Sequence, residues 1–217
     1  MYLIVSSTEM ELEPIESLYA GSESFLFLNI GVGPVEAAVN LTEYLCRTGS
    51  SGIAAVINLG LAGAYPDSGP ELLDICLAEQ EYFGDIGIAL EGLIDDLNPS
   101  FAPPIEFNLT SELLDQAGVH LKKAGFTFRR GNFVTVSSVS GTLVRGAYLS
   151  GKFKAICENM EGASVARVCR KFSLPCLELR CVSNMVVDRE DQEWRPGEAV
   201  ELCGRAVRAV MEGLQDD

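Results

Sequence analysis

The feature that most constrains this chain is an alternation of two periods. Short apolar runs rich in β-branched residues, such as Tyr2-Leu3-Ile4-Val5, take turns with longer stretches whose apolar residues recur three or four apart. Runs of the first kind suit buried strands, and stretches of the second suit helices with one apolar face. Their alternation predicts an α/β fold, a three-layer α/β/α domain with a central mixed twisted sheet, and argues against a β sandwich. Strands are expected near 1–6, 24–30, 53–59, 72–83, 132–138, 154–157 and 175–182. Helices are expected near 10–20, 34–47, 110–124, 141–149, 160–172 and 196–214. The segment Leu97–Asn108, with Pro99, Pro103 and Pro104, reads as a surface loop over or beside a site, because proline fits neither a helix interior nor a central strand.

At 217 residues the chain can bury about 70% of its unfolded surface around one core, so residues 1–217 are read as a single domain. A hydrophobic share of 47%, a charged share of 22% and a mean hydropathy of +0.19 fit a globular protein rather than a disordered one. No apolar run reaches the eighteen or so residues that span a bilayer, and the first residues lack a basic leader. The expectation is a cytoplasmic protein without a membrane partner. A formal charge of -15 would repel a polyanion, which excludes nucleic acid as a partner.

Seven cysteines, at 46, 76, 157, 169, 176, 181 and 203, form no CxxC pair and lie mostly in apolar segments, as reduced core residues do. The one histidine, His120, falls on the amphipathic stretch Ser111–Ala124 beside Lys122 and Lys123 and is expected at the surface. With one histidine and no paired cysteines, no metal site and no cofactor are expected.

Ligands of open α/β sheets bind beyond the carboxyl ends of the strands, which singles out five places. Ser6-Ser7-Thr8 is followed by Glu9, Glu11 and Glu13, a pattern that a helix cap with acids at its positive end explains unaided. Gly31-Val32-Gly33-Pro34 and Gly60-Leu61-Ala62-Gly63 read as glycine turns. Glu36 replaces the third glycine of a dinucleotide fingerprint, and no P-loop lysine follows. Neither turn offers an arginine, the side chain that grips oxyanions, which favours water over phosphate as second substrate. Glu158-Asn159-Met160-Glu161-Gly162-Ala163-Ser164 opens a helix, where a carboxylate is commonly a cap. In Leu179-Arg180-Cys181-Val182-Ser183-Asn184, an arginine inside an apolar strand needs a carboxylate partner.

Taken together these segments resemble the family of nucleoside phosphorylases and methylthioadenosine/adenosylhomocysteine nucleosidases. The likeness runs through Asn58–Gly63, Asp85-Ile86, Asn159–Ala163 and Arg180–Asn184. It implies a phosphorylase/hydrolase-like fold and cleavage of the N-glycosidic bond of a nucleoside by water. Glu161 would hold the ribose hydroxyls with Met160 under the sugar, and Glu11, flanked by Glu9 and Glu13 as competitors, would orient the water. Arg180 would position Glu161. Ala62, Gly63, Asn159 and Ser183 would line the site, and Ser140, Gly141 and Thr142, in the run Ser138–Thr142, would read the base edge.

Family members that act on adenine carry an aspartate where this chain has Asn184. An amide offers two N–H donors, suited to the N7 and O6 acceptors of a 6-oxopurine, yet cannot be a general acid. The run through Glu161, the Arg180-x-x-Ser183-Asn184 spacing and Asp188–Trp194 resemble the members that release hypoxanthine. Arg145, Arg189 and Arg195 are candidates for a substrate carboxylate. A 6-oxopurine phosphorylase, a methylthioadenosine-type nucleosidase and a non-catalytic purine-binding module stand as alternatives. The family also implies a homodimer or larger homo-oligomer.

Overall fold

A computed structural model describes residues 1–91 and 93–216. In chain order the elements are β1 (Tyr2–Ser6), α1 (Glu9–Glu16), β2 (Phe25–Asn29), α2 (Pro34–Thr48), β3 (Ala55–Ala64), β4 (Ile75–Phe83), β5 (Ile88–Leu90) and β6 (Leu93–Asp95). They continue with β7 (Glu106–Asn108), α3 (Glu112–Lys123), β8 (Phe128–Thr135), α4 (Leu143–Phe153), β9 (Ala155–Asn159), α5 (Gly162–Phe172), β10 (Cys176–Met185) and α6 (Pro196–Asp216).

The period-2 pattern sorts the strand residues into layers. On β1, Leu3 and Val5 pack with Ala37, Leu41 and Leu45 of α2 and with Val165 and Cys169 of α5. Ile4 faces the other way, toward Leu12 and Ile15 of α1, Leu114 and Leu121 of α3, and Val207 and Met211 of α6. Both faces of the strand are therefore buried, which is why these strands read as continuous apolar runs. Each such side chain contributes about 1.5–3 kcal/mol by leaving water. The α/β class, the layers and the mixed sheet are as the alternation of periods predicts.

The sheet also closes on itself, which periodicity does not show. Its strands run β10-β4-β8-β9-β3-β1-β2, and β10 pairs β3 as well, so β3, β10, β4, β8 and β9 form a ring. Closure between β3 and β9 rests on two antiparallel pairs, Gly63 with Glu158 and Ala64 with Cys157. The ring draws the carboxyl ends of β3, β9 and β10 to one place.

Several boundaries differ from expectation. β3 continues to Ala64 and β10 to Met185, so Gly60–Gly63 is strand and not a turn, and β8 begins at Phe128. The proline segment ends in β7, which pairs with Gln80, Glu81 and Tyr82 along the edge of β4 that β10 leaves free. His120 is buried, against the surface expectation, because α3 packs its ring against Gly213 of α6, where any Cβ would collide with it. Six cysteines are buried and free, and Cys46 is exposed. Among the described residues no helix is long and apolar enough to cross a membrane, and no cluster of potential metal ligands occurs.

Candidate active site

A capping box starts the site. Thr8 caps α1, its hydroxyl accepting from the Glu11 backbone N–H while Glu11 reaches back to the Thr8 N–H. Glu11 Oε2 also accepts from the hydroxyls of Ser6, Ser7 and Thr8, at 2.8, 2.7 and 2.8 Å. Its other oxygen, Oε1, accepts from the Leu61 N–H at 3.0 Å and lies beside Gly60. The cap and the site thus use different oxygens of one buried carboxylate. Glu9 and Glu13 are exposed and line a separate surface hollow, so Glu11 alone of the three reaches the cleft.

Gly60 is required by close approach rather than by a turn. A Cβ there would stand 2.5 Å from Arg180 Nη1 and 2.9 Å from Glu11 Oε1, so the missing side chain is the space in which the two groups meet. Gly31 and Gly33 are true turn glycines, with φ of 79° and 92°. The Gly33 N–H donates to Glu161 Oε1 at 3.0 Å.

Glu161 occupies the N-cap position of α5 without making a cap bond. Asn159 does that work, its Oδ1 accepting from the backbone N–H groups of Glu161 and Gly162 at 2.9 and 2.7 Å. Glu161 is free of the helix and instead receives Gly33 and Arg180, with Arg180 Nη1 3.3 Å from Oε2. Asn159, expected to touch substrate, has its amide nitrogen on Glu81 and its oxygen on the helix start, so its polar atoms are engaged within the fold.

Arg180 is 1% exposed and has the partners its sequence context demanded. Nε donates to Glu178 Oε1 at 2.9 Å and Nη1 to Glu161. Burial opposes its charge, but the carboxylates of Glu178, Glu161 and Glu11 more than offset that and hold its pKa above the ordinary value. Behind it, Glu81 and Glu178 are fully buried against Gly162. Burial, and then the charge of Glu178, push the Glu81 carboxyl well above the usual range. Glu178 Oε2 has no other hydrogen-bond partner, which fits a protonated Glu81 donating to it.

Glu11, Glu158 and Glu161 face a cleft of about 250 Å³ lined also by Val32, Ala62, Met160 and Ser183. It runs into a second hollow of about 230 Å³, the two sharing Gly63, Val139, Glu158, Asn184 and Trp194. A β-bulge at Ser183 decides what stands beside Gly63. Val182 pairs Ala62 but Asn184, not Ser183, pairs Gly63, so the extra residue re-aims the amide. Asn184 Nδ2 lies 3.1 Å from where a Gly63 Cβ would be, and its Oδ1 accepts from the Ser183 hydroxyl at 3.0 Å.

The segment expected to read the base is otherwise engaged. Ser140 gives its N–H and hydroxyl to Glu158 at 2.6 and 2.7 Å, the Gly141 carbonyl accepts from the Arg189 N–H, and Thr142 caps α4. Within that run Val139 lines both hollows and Ser140 the outer one. The proline segment lines neither. Of the three candidate arginines, Arg189 lines the outer hollow, while Arg145 faces Asp85 at 3.9 Å and Arg195 is paired with Glu198 and Glu193. Sequence reasoning gave no role to Glu81 or Glu178 and named Glu158 only within the run that opens α5; for Glu178, an acid inside an apolar strand run was the signal. A larger cavity of about 350 Å³, beside Phe107, Cys169 and Cys176, has no carboxylate in its lining.

The chain is similar to known proteins across almost its whole length. The Phosphorylase superfamily model matches residues 11–214. The futalosine hydrolase of Thermus thermophilus is 32% identical, over 97% of this chain and 95% of its own. That of Streptomyces coelicolor is 30% identical over 87% and 79%. Among solved structures, the native futalosine hydrolase of Helicobacter pylori superposes with a TM-score of 0.81 at 20% identity, covering 97% of both chains. With the match spanning α1 to α6 and the relatives sharing nearly the full length, the chain belongs to the phosphorylase superfamily.

Proposed function

We propose that this protein hydrolyses the N-glycosidic bond of futalosine, releasing hypoxanthine and leaving dehypoxanthine futalosine, with residues 1–217 acting as a single nucleosidase-like domain. One observation carries hydrolysis over phosphorolysis. Among the described residues, Arg180 is the one cation lining the acidic end of the cleft, and Glu161 and Glu178 already hold it. An incoming phosphate would meet Glu11, Glu158 and Glu161 with no free positive charge, whereas water meets an acceptor in Glu11 Oε1.

The chemistry follows from that layout. As the bond from the anomeric carbon to the base lengthens, the sugar gains oxocarbenium character. Glu161, held by Gly33 and Arg180, accepts from the ribose hydroxyls, and Met160 packs under the ring. Glu11 orients the attacking water and takes its proton, an effect worth roughly a hundredfold to ten-thousandfold. The electron pair of the broken bond stays on the base, which Asn184 stabilises by donating hydrogen bonds, with the proton coming from solvent. Arg189 lines the outer hollow and, in this reading, meets the substrate's benzoate-like carboxylate.

The same reading takes the chain as one protomer of a homo-oligomer. Its support is the exposure of Val32, Val35 and Val39 beside the cleft and along α2, at 54%, 70% and 55%.

Base release from futalosine, inosine and methylthioadenosine, with and without phosphate, tests the proposal when hypoxanthine and adenine are followed by chromatography. Hypoxanthine from futalosine without phosphate is expected. A phosphate requirement, release of adenine alone, or no release would each overturn it.

A further inference from the structure

Glu158 has no part in the reaction described above, yet it is a buried carboxylate at the cleft. It is 3% exposed and lines both hollows. Oε1 accepts from the Ser140 N–H at 2.6 Å, and Oε2 from the Ser140 hydroxyl at 2.7 Å and the Tyr65 hydroxyl at 3.1 Å. Tyr65 is fully buried, and burial followed by the charge of Glu158 pushes its pKa up, so it stays a donor. Burial raises the Glu158 carboxyl too, while the hydrogen bonds from Ser140 and Tyr65 oppose that rise. Three donors on two oxygens define an acceptor, and Oε1, with a single donor, keeps a lone pair for a further one.

Register puts this acceptor opposite Asn184. Gly63 pairs with Glu158 on β9 and with Asn184 on β10. Directly paired residues project to the same face of a sheet, and neighbouring strands lie roughly 4.8 Å apart, so the two side chains flank Gly63 across about 10 Å of backbone, and both line the two hollows. A planar base can lie in those hollows with one edge toward each side chain. The edge of hypoxanthine presents N7 and O6 as acceptors, then N1–H as a donor. Asn184 offers its amide Nδ2, which also donates a long 3.4 Å bond to the Met185 carbonyl, and Glu158 offers an acceptor, in the matching order. Adenine presents a lone pair at N1, which would face the carboxylate.

We infer that Glu158 is a specificity-determining residue that accepts the N1–H of a 6-oxopurine and repels the N1 lone pair of a 6-aminopurine. This rests on the proposed nucleosidase function and adds to it a second reader of the base. The position expected to read the base, Ser140, acts through Glu158 by holding it.

The test compares wild type with Glu158→Gln on inosine and adenosine, which share a sugar. Glutamine can turn either its oxygen or its N–H to N1, so it serves both bases. The variant is expected to lose about tenfold to a hundredfold in kcat/KM on inosine, and the inosine-to-adenosine preference is expected to fall at least tenfold. Equal losses on both substrates, or an unchanged ratio, would overturn the inference. A second measurement needs neither variant nor turnover: calorimetric binding of hypoxanthine, 1-methylhypoxanthine and adenine to the wild-type protein. Hypoxanthine is expected to bind at least tenfold more tightly than either of the others, and similar affinities would overturn the inference. Because free bases are used, this result stands even if the proposed hydrolysis fails.

Discussion

At the scale of single residues, the donors that each acid of the site receives divide its work. Glu11 caps a helix and faces the cleft at once, each oxygen having its own task. Glu161 stands where a cap would stand but leaves capping to Asn159. Neither division is visible in the chain, because the deciding donors, Leu61 and Gly33, lie 50 and 128 residues away. Asn184 is the residue whose chemistry was most legible, since an amide in place of an acid changes what a base can be offered. Asn184→Asp should therefore move base preference toward 6-amino nucleosides by about tenfold or more, a good hydrogen bond to a charged group being worth about 1.5–3 kcal/mol. Comparing kcat/KM for inosine and adenosine reads the shift. An unaltered preference would show that the amide does not touch the base.

At the scale of elements, helices and strands were largely readable and the ends of β3 and β10 were not. In Gly60–Gly63 spacing cannot separate a turn glycine from one that leaves room. Here Gly60 leaves room for Arg180 and Glu11, and Gly63 leaves room for Val186 and the Asn184 amide. The bulge at Ser183 is likewise silent in sequence, since it needs a partner strand to be defined. On α2, Val35 and Val39 share one face at a four-residue spacing and stay exposed. If that face joins two copies, sedimentation at micromolar concentration should show a dimer or larger assembly, and Val35→Glu should shift it to monomer. A monomeric wild-type protein across that range would sink the idea.

At the scale of the whole molecule, burial of several acids around one arginine makes stability depend on pH. In the unfolded chain Glu81 titrates near its ordinary value of 4.5, and in the fold its pKa is raised well above that, first by burial and then by Glu178. The folded state binds the extra proton, so this group's contribution is present below about pH 4.5 and is lost as pH rises toward the folded pKa. Glutamine keeps the neutral hydrogen bonds and does not ionise. The Tm of Glu81→Gln relative to wild type should consequently increase between about pH 5 and pH 8. A difference that stays constant with pH would mean that Glu81 is not the group responsible. The sequence by itself determined the layers, the order of the elements and the kinds of side chain available, because periodicity and composition are local properties that each segment carries alone. Only the tertiary structure decided that Glu11, Arg180 and Glu161 share one space, that Asn184 and Glu158 flank one glycine, and that Ser140 faces an acid rather than a base. Those choices depend on register and ring closure between strands far apart in the chain, and hydrogen-bond partners across such distances are set by the pairing of whole strands.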